Sequence, residues 1–579
     1  MATVSQNPNV TGIQDQMADS VDLKFDKKSK EGRANELWQR LQGKKVLIVL
    51  DDVWKDIDFQ EIGIPFGDDH RGCKILLTTR NQELYSYMAC QQKVLLSPLT
   101  EIEAWALFKI NAGLSDEDSD LNRVAKEVAR KYQGLPLALA AVGRALKGKS
   151  KSEWKLASKN LKKSQSRHME NIDDRSNPYA CLKLSYDYLK HDGTKLCFLL
   201  CCLFEEDDDI SIEDLTRYAV GYGLHKDAES IEDTREQVYA EMKALKDRCM
   251  LLGTESEENL KMHDLFREVA IEIATKEYGF MVSAGNGWKS VNNSVTTISL
   301  MGNKLAELPE GLVCPQLKVL LLELDRGLNV PEKFFEGMKA IEVLSLEGGC
   351  LSLQSLQFST NLQSLLLRRC ECKDLIWLRE LQRLEILGFM WCSSIEELPD
   401  AIGELKELRL LDLTDCYNLR RIPVNLIGRL KKLEELPIGD ASFKGWDVVG
   451  CDSAEGINAG VTELSSLSHL AVLSLKIPKV ECIPRDFVFP SLLKYDIVLG
   501  DGYSKEYPTS TRLYLGDISA TSLNAKTFEH LSDFLEKQTN LTLLIDSRSI
   551  YRDTGEGVKR CVLTNLLLHN SLSRLKPKN

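Results

Sequence analysis

Apolar positions in the first half of the chain change period several times, and each change predicts an element. In 45-KVLIVLDDVW-54, five consecutive apolar residues are closed by Asp51 and Asp52. A run without alternation predicts a strand buried on both faces, as in a parallel α/β sheet. A second apolar strand, 74-KILLTTR-80, follows and again ends in polar groups. The period then becomes helical: Leu121, Val124, Val128 and Tyr132 share one face of 121–132. Gly134 stops that helix and Pro136 opens the next, so 134-GLPLALAAVGRAL-146 predicts a tight helix–helix corner. The segment 264-DLFREVAIEIA-274 is also helical, with Asp264 as the expected N-cap.

The second half repeats. The pattern L-x-x-L-x-L recurs as Leu317/Leu320/Leu322, Ile341/Leu344/Leu346, Leu362/Leu365/Leu367 and Leu384/Leu387/Phe389. It continues as Leu408/Leu411/Leu413, Leu433/Leu436/Ile438 and Leu470/Leu473/Leu475, with starts 24, 21, 22, 24, 25 and 37 residues apart. All but the last spacing fall in the ~20–29-residue period of leucine-rich repeats. The long spacing carries 439–460, read as an inserted loop, and weaker copies lie at Leu492/Tyr495/Ile497 and Val295/Ile298/Leu300. No single repeat can bury its leucines alone, so a solenoid is expected from about residue 290, with an extended binding face. Cys370, Cys392 and Cys416 each follow the last leucine of a motif by three residues, the buried Asn/Cys position of such a repeat. Beyond about residue 500 the pattern blurs.

Composition narrows the class. The net charge of −12 and pI of 5.4 argue against direct nucleic-acid binding. The longest apolar run, 196-LCFLLCCLF-204, is far shorter than the ~18–20 residues of a membrane span. MATVSQNPNV has neither the basic nor the apolar region of a signal peptide. Sixteen cysteines without CxxC pairs or zinc-like Cys/His spacing read as reduced thiols. A cytoplasmic multidomain protein is expected.

Candidate chemistry sits at the strand ends. A buried strand closed by Asp51-Asp52 has the form of a Walker B motif, in which Asp51 would hold Mg²⁺ through water and Asp52 would orient an attacking water. Arg80, at the end of the next strand, could read a terminal phosphate. The string Gly143-Arg-Ala-Leu-Lys-Gly148-Lys149-Ser150 fits G-x-x-x-x-G-K-[ST], but it follows a helix and lies after the Walker B strand. It reads as a helix end with a basic cap.

In order, DDVW (51–54), GCKILLTTR (72–80), EAWALF (103–108), GLPLAL (134–139), CFLLCCLF (197–204) and MHDLF (262–266) precede the repeats. This series closely resembles the plant NB-ARC–LRR disease resistance proteins, and Trp54 is similar to their coiled-coil, non-TIR branch. The resemblance runs from residue 1 to at least residue 500. It implies a partial P-loop-NTPase-like parallel sheet (1–93), a helical domain (94–165), a winged-helix domain (166–275) and leucine-rich repeats (290–579). It also implies an intracellular immune receptor switched by exchange of ADP for ATP with Mg²⁺, with Pro136 packing on the adenosine side, Arg80 sensing phosphate and His263 bonding the β-phosphate of ADP.

The protein partner expected on the repeats is a pathogen effector or a guarded host protein, with oligomer formation on activation in a full-length form. Residues 1–44 contain no P-loop motif and no coiled-coil head, so 579 reads as a truncated total. The chain as given is expected to bind ADP weakly and not to turn over ATP. The alternative function is a nucleotide-independent binding scaffold, a decoy or a relic. In 204-FEEDDDI-210, Glu205 replaces the family's usual proline, and the acidic run reads as a solvated loop.

Overall fold

The computed structural model describes residues 1–544 apart from 5–7, 67–71, 82, 89, 169–175, 283–287, 289–290, 352–353, 373, 440–442, 444, 447–457, 480–481, 485, 501–510 and 516–542. The chain divides into two units. One holds residues 1–188 with 206–209 and 261–265; the other holds 189–205, 210–260 and the chain from 266 onward.

The first unit begins with a parallel sheet in the order β1 (Ala2–Thr3), β2 (Val46–Asp51), β3 (Cys73–Leu77). Helices α1 (Val10–Asp19), α2 (Lys30–Leu41), α3 (Phe59–Ile62) and α4 (Leu84–Tyr87) accompany it. Ile13, Met17, Leu37 and Leu41 pack with Ile48 and Leu50 of β2. The expectation that β2 is buried on both faces is corrected here, because its burial alternates. Leu47 is 63% exposed and Leu76 of β3 is 51% exposed. Among the described residues the apolar core lies on one face of this sheet, so alternate side chains reach water.

Helices α5 (Glu101–Ala112), α6 (Ser119–Arg130), α7 (Pro136–Leu146), α8 (Lys151–His168) and α9 (Ser176–Asp187) follow. Thr100 and Glu103 form a capping box that starts α5. Gly134 has φ +77°, and a Cβ there would lie 2.3 Å from the Leu99 carbonyl, so the predicted corner closes only with glycine. The G-x-x-x-x-G-K-S string spans the end of α7 and the turn before α8, where Ser150 N–H donates to Glu153 at 2.8 Å. Gly143 instead serves packing: a Cβ there would stand 3.1 Å from the Phe108 carbonyl of α5.

The second unit begins with α10 (Asp192–Cys201), whose Cys197 to Cys201 are buried, and β4 (Ile210–Ser211). Next come α11 (Ile212–Tyr222), α12 (Ile231–Asp247), β5 (Leu252–Gly253) and β6 (Asn259–Lys261), in a small sheet of order β4-β6-β5. Helix α13 (Asp264–Ile273), whose first two residues belong to the first unit, leads to the repeats. Their strands are β7 (Phe280–Val282), β8 (Thr297–Leu305), β9 (Val319–Leu324), β10 (Val343–Glu347), β11 (Cys350–Leu351), β12 (Ser364–Arg368), β13 (Glu371–Cys372) and β14 (Ile386–Met390). They continue as β15 (Leu410–Asp412), β16 (Glu435–Pro437), β17 (Val472–Ile477), β18 (Lys494–Leu499), β19 (Thr511–Leu515) and β20 (Leu543–Leu544). All but β11 and β13, which pair separately, join one parallel sheet.

The register is the one the leucines predict. Leu320, Leu344, Leu365, Leu387 and Leu411 are successive cross-strand partners, and all are fully buried. Cys370, Cys392 and Cys416 are buried, and their thiols donate to the carbonyls of Leu346 (3.4 Å), Leu367 (3.4 Å) and Phe389 (2.6 Å) in the preceding repeat. Most of the predicted loop 439–460 lies outside the described residues, as does most of the chain beyond 500; within the loop, Phe443 and Trp446 are buried.

The other face of the repeat sheet, expected to be open for binding, is partly covered by the chain's own helices. Helix α11 packs on β10, β12 and β14. A Cβ on Gly221 of α11 would lie 2.5 Å from Ser364 Cβ and 2.7 Å from Val343 Cγ2. Charge pairs complete the contact: Arg217 with Asp412 (2.7 Å), Arg235 with Glu435 (2.8 Å), Lys494 with Glu232 (2.7 Å), and Arg368 with Asp214. Arg217 and Asp412 are 3% and 2% exposed, a depth at which a charge requires a partner.

Candidate functional site

Asp51 and Asp52 stand at the carboxyl end of β2, where parallel sheets present ligand-binding groups. Asp51 accepts a hydrogen bond from the Thr78 hydroxyl at 2.5 Å. Asp52 has φ +53°, a left-handed conformation that turns the chain out of the strand. Its N–H donates to Thr78 Oγ1 at 2.9 Å, and its carboxylate accepts from Trp54 Nε1 at 2.7 Å. Thr78 therefore ties both aspartates to the end of the neighbouring strand.

Arg80 is the hub of the cluster. Its guanidinium lies 5.1 Å from the Trp54 ring centre and 3.4 Å from Asp52 Oδ1, and it donates to Asp264. Asp264 is 184 positions away in the chain. Burial works against the Arg80 charge, but the carboxylates of Asp264, Asp52 and Glu206 outweigh it and hold the group more firmly protonated than usual. Asp52, Glu206 and Asp264 place carboxylate oxygens within 4.8 Å of one another.

His263 lies beside Asp264 at the start of α13, and its Nδ1 accepts the Leu265 N–H at 3.2 Å. The capping acceptor is thus His263 and not the predicted Asp264, whose carboxylate turns to Arg80 instead. This hydrogen bond occupies Nδ1 and leaves Nε2 as the nitrogen that could meet a phosphate. Pro136 sits on a different element, the first turn of α7, and is exposed.

Of the expected residues, the fold brings Asp52, Arg80 and the His263-Asp264 pair to one place, and Asp51 adjoins it through Thr78. Glu206 belongs to the acidic run expected to be a solvated loop, and no motif marks it as part of this cluster. The contacts of Thr78 with both aspartates and of Asp264 with Arg80 are likewise unmarked by any spacing in the sequence. The threonine and aspartate lie inside the motifs TTR and MHD, so their presence was legible, but their partners were not. Three carboxylates, Asp52, Glu206 and Asp264, surround the Arg80 guanidinium, so acidic groups outnumber basic ones in this cluster.

Residues 1–118 match the family model of the NB-ARC domain. Together with the parallel repeat sheet, this sets the class: an NB-ARC module joined to leucine-rich repeats. Over most of its length the chain is similar to plant disease resistance proteins. It is 33% identical over 521 residues to the disease resistance protein At4g27190 of Arabidopsis thaliana, covering 86% of this chain and 52% of that protein. It is 32% identical over 512 residues to the probable disease resistance protein At4g27220 of the same plant, covering 85% and 54%. To the Arabidopsis disease resistance protein UNI it is 31% identical over 460 residues, covering 76% and 49%. The chain spans about half the length of these curated relatives. Among the described residues no helix is long and apolar enough to cross a membrane.

Proposed function

We propose that the chain is the switch and recognition part of an intracellular plant immune receptor, held at rest with ADP and released by exchange for ATP. The observation that carries this reading is the ion pair of Arg80 with Asp264, which joins the end of β3 to the MHD segment. One guanidinium cannot fully serve a carboxylate and a terminal phosphate at once. A nucleoside triphosphate would draw Arg80 away from Asp264 and loosen 261–265, whereas a diphosphate would leave the pair intact. In this reading Asp51 holds Mg²⁺ through water, Asp52 orients water, Pro136 packs on the adenosine side and His263 Nε2 meets the β-phosphate.

Affinity within residues 1–579 is expected to be weak and turnover absent. Among the described residues no glycine-rich loop with Lys and Ser or Thr joins a strand to a helix, and such a loop supplies most phosphate stabilisation. The protein ligand, an effector or a guarded host protein, would bind the repeats where α11 and α12 leave them uncovered, or would displace those helices. Oligomer formation would follow activation in a longer form, in the cytoplasm.

The test is hydrogen exchange at 261–265 with saturating ADP or a non-hydrolysable ATP analogue, beside calorimetry. Faster exchange with the triphosphate, lost in Arg80→Ala, is expected. Exchange that ignores both nucleotides would overturn the switch and favour a nucleotide-independent scaffold. Micromolar or tighter ADP binding would overturn the expectation of weak affinity.

A further inference from the structure

The second unit gathers Cys197, His225 and Glu241 so that one ligand atom from each lies within 4.8 Å of the other two. They come from three elements. Cys197 is on α10, Glu241 is on α12, and His225 lies two residues beyond Gly223, the left-handed residue that ends α11. Cys197 Sγ donates to Glu241 Oε2 at 2.7 Å, and His225 Nε2 stands 3.4 Å from the same oxygen. The His225 side chain is only 8% exposed, and its Nε2 has no hydrogen-bond partner. A buried imidazole nitrogen is thus aimed at a carboxylate oxygen that a thiol already occupies. Gly193 makes the room: a Cβ there would lie 2.2 Å from Glu241 Oε1 and 3.5 Å from His225 Cε1.

We propose that Cys197, His225 and Glu241 bind a zinc ion. Thiolate sulfur, imidazole nitrogen and carboxylate oxygen form a ligand set that zinc accepts, whereas magnesium and calcium take oxygen ligands. Ligands at ~2.0–2.3 Å from a tetrahedral ion stand roughly 3.3–3.7 Å apart. Seating the ion therefore requires the Sγ–Oε2 separation to open by about 1 Å or less. On binding, the zinc–sulfur bond forms as the Cys197 proton leaves to solvent. Thiolate and carboxylate then balance the two positive charges, and His225 binds neutral through Nε2. Before binding, burial and the facing carboxylate keep the thiol protonated.

Glu241, at 15% side-chain exposure, marks the edge through which the ion enters and where water supplies a fourth ligand. The bound ion would pin α10, the end of α11 and α12 to one another. Helices α11 and α12 carry Arg217 and Arg235, so the site would stiffen the platform that meets the repeats.

The test uses the full chain, stripped with chelator, reloaded with zinc and desalted, with bound metal read by mass spectrometry. Cobalt loading reads the sulfur-to-metal charge-transfer band. About one ion per chain is expected. His225→Gln and Glu241→Gln should each weaken binding at least about 10–100-fold. Cys197→Ser should remove the cobalt–sulfur band, while Cys249→Ser, at a partly exposed thiol elsewhere, should keep it. Circular dichroism checks that each variant folds, and if Cys197→Ser does not, His225→Gln decides. No retained zinc in the wild-type chain, or stoichiometry and cobalt spectra unchanged in the three ligand variants, would overturn the site.

Discussion

Arg217 of α11 and Asp412 of the repeat strand β15, 195 positions apart in the chain, meet at 2.7 Å with both side chains almost wholly buried. Asp412 also accepts the Thr414 N–H at 2.9 Å, so its carboxylate is fixed from two directions. Removing the cation alone leaves a buried charge uncompensated. Arg217→Ala should cost about 3–5 kcal/mol, seen as a lower unfolding midpoint and faster hydrogen exchange in α11. The double variant Arg217→Met with Asp412→Leu should recover most of that loss. A single variant as stable as wild type would show that the pair does not hold the helix on the strands.

Acid should loosen the same contact. Glu213 accepts from Arg235 at 2.8 Å and from Arg217 at 3.3 Å. Burial opposes its charge, but the two guanidinium groups outweigh burial and push its pKa down from 4.5 to about 2. A depressed carboxylate pKa adds stability above the unfolded value, and that stability is lost as pH falls through the folded one. Unfolding midpoints should drop between about pH 4.5 and 2, and Glu213→Gln should flatten the drop.

Gly221 tests the contact by shape. With Ser364 Cβ 2.5 Å from its virtual Cβ, Gly221→Ala must displace α11 or β12. A loss of about 1–3 kcal/mol is expected, with new protease cleavage between α11 and α12. An unchanged digestion pattern would argue that the helix can shift freely.

The Arg80–Asp264 pair should behave differently, because Arg80 is 44% exposed. Solvent screening limits such a pair to about 1 kcal/mol or less. Asp264→Asn should leave global stability nearly unchanged while raising hydrogen exchange at 261–265. A large fall in stability would mean that the pair is structural and not a latch.

Lys149 separates a motif from its context. It pairs with Glu153 at 3.1 Å at the start of α8, in a helix–turn–helix setting that no phosphate loop has. Lys149→Ala should leave any measured ADP affinity within twofold (about 0.4 kcal/mol) of wild type, whereas Arg80→Ala should alter it.

What could be read from the sequence was whatever local period or motif encodes. The leucine register of the repeats, the thiols of Cys370, Cys392 and Cys416, the Gly134–Pro136 corner and the Asp51-Asp52 strand end each depend on neighbours a few residues away. Side-chain size and backbone preference already specify them. Only the tertiary structure decided which distant groups meet. It exposed one face of β2, drew Glu206 and Asp264 to Arg80, set α11 on the repeat face through Gly221 and Arg217, and placed Cys197, His225 and Glu241 together without any motif spacing. These pairings depend on how helices and sheets pack, and no periodicity records the position of a partner 195 residues away.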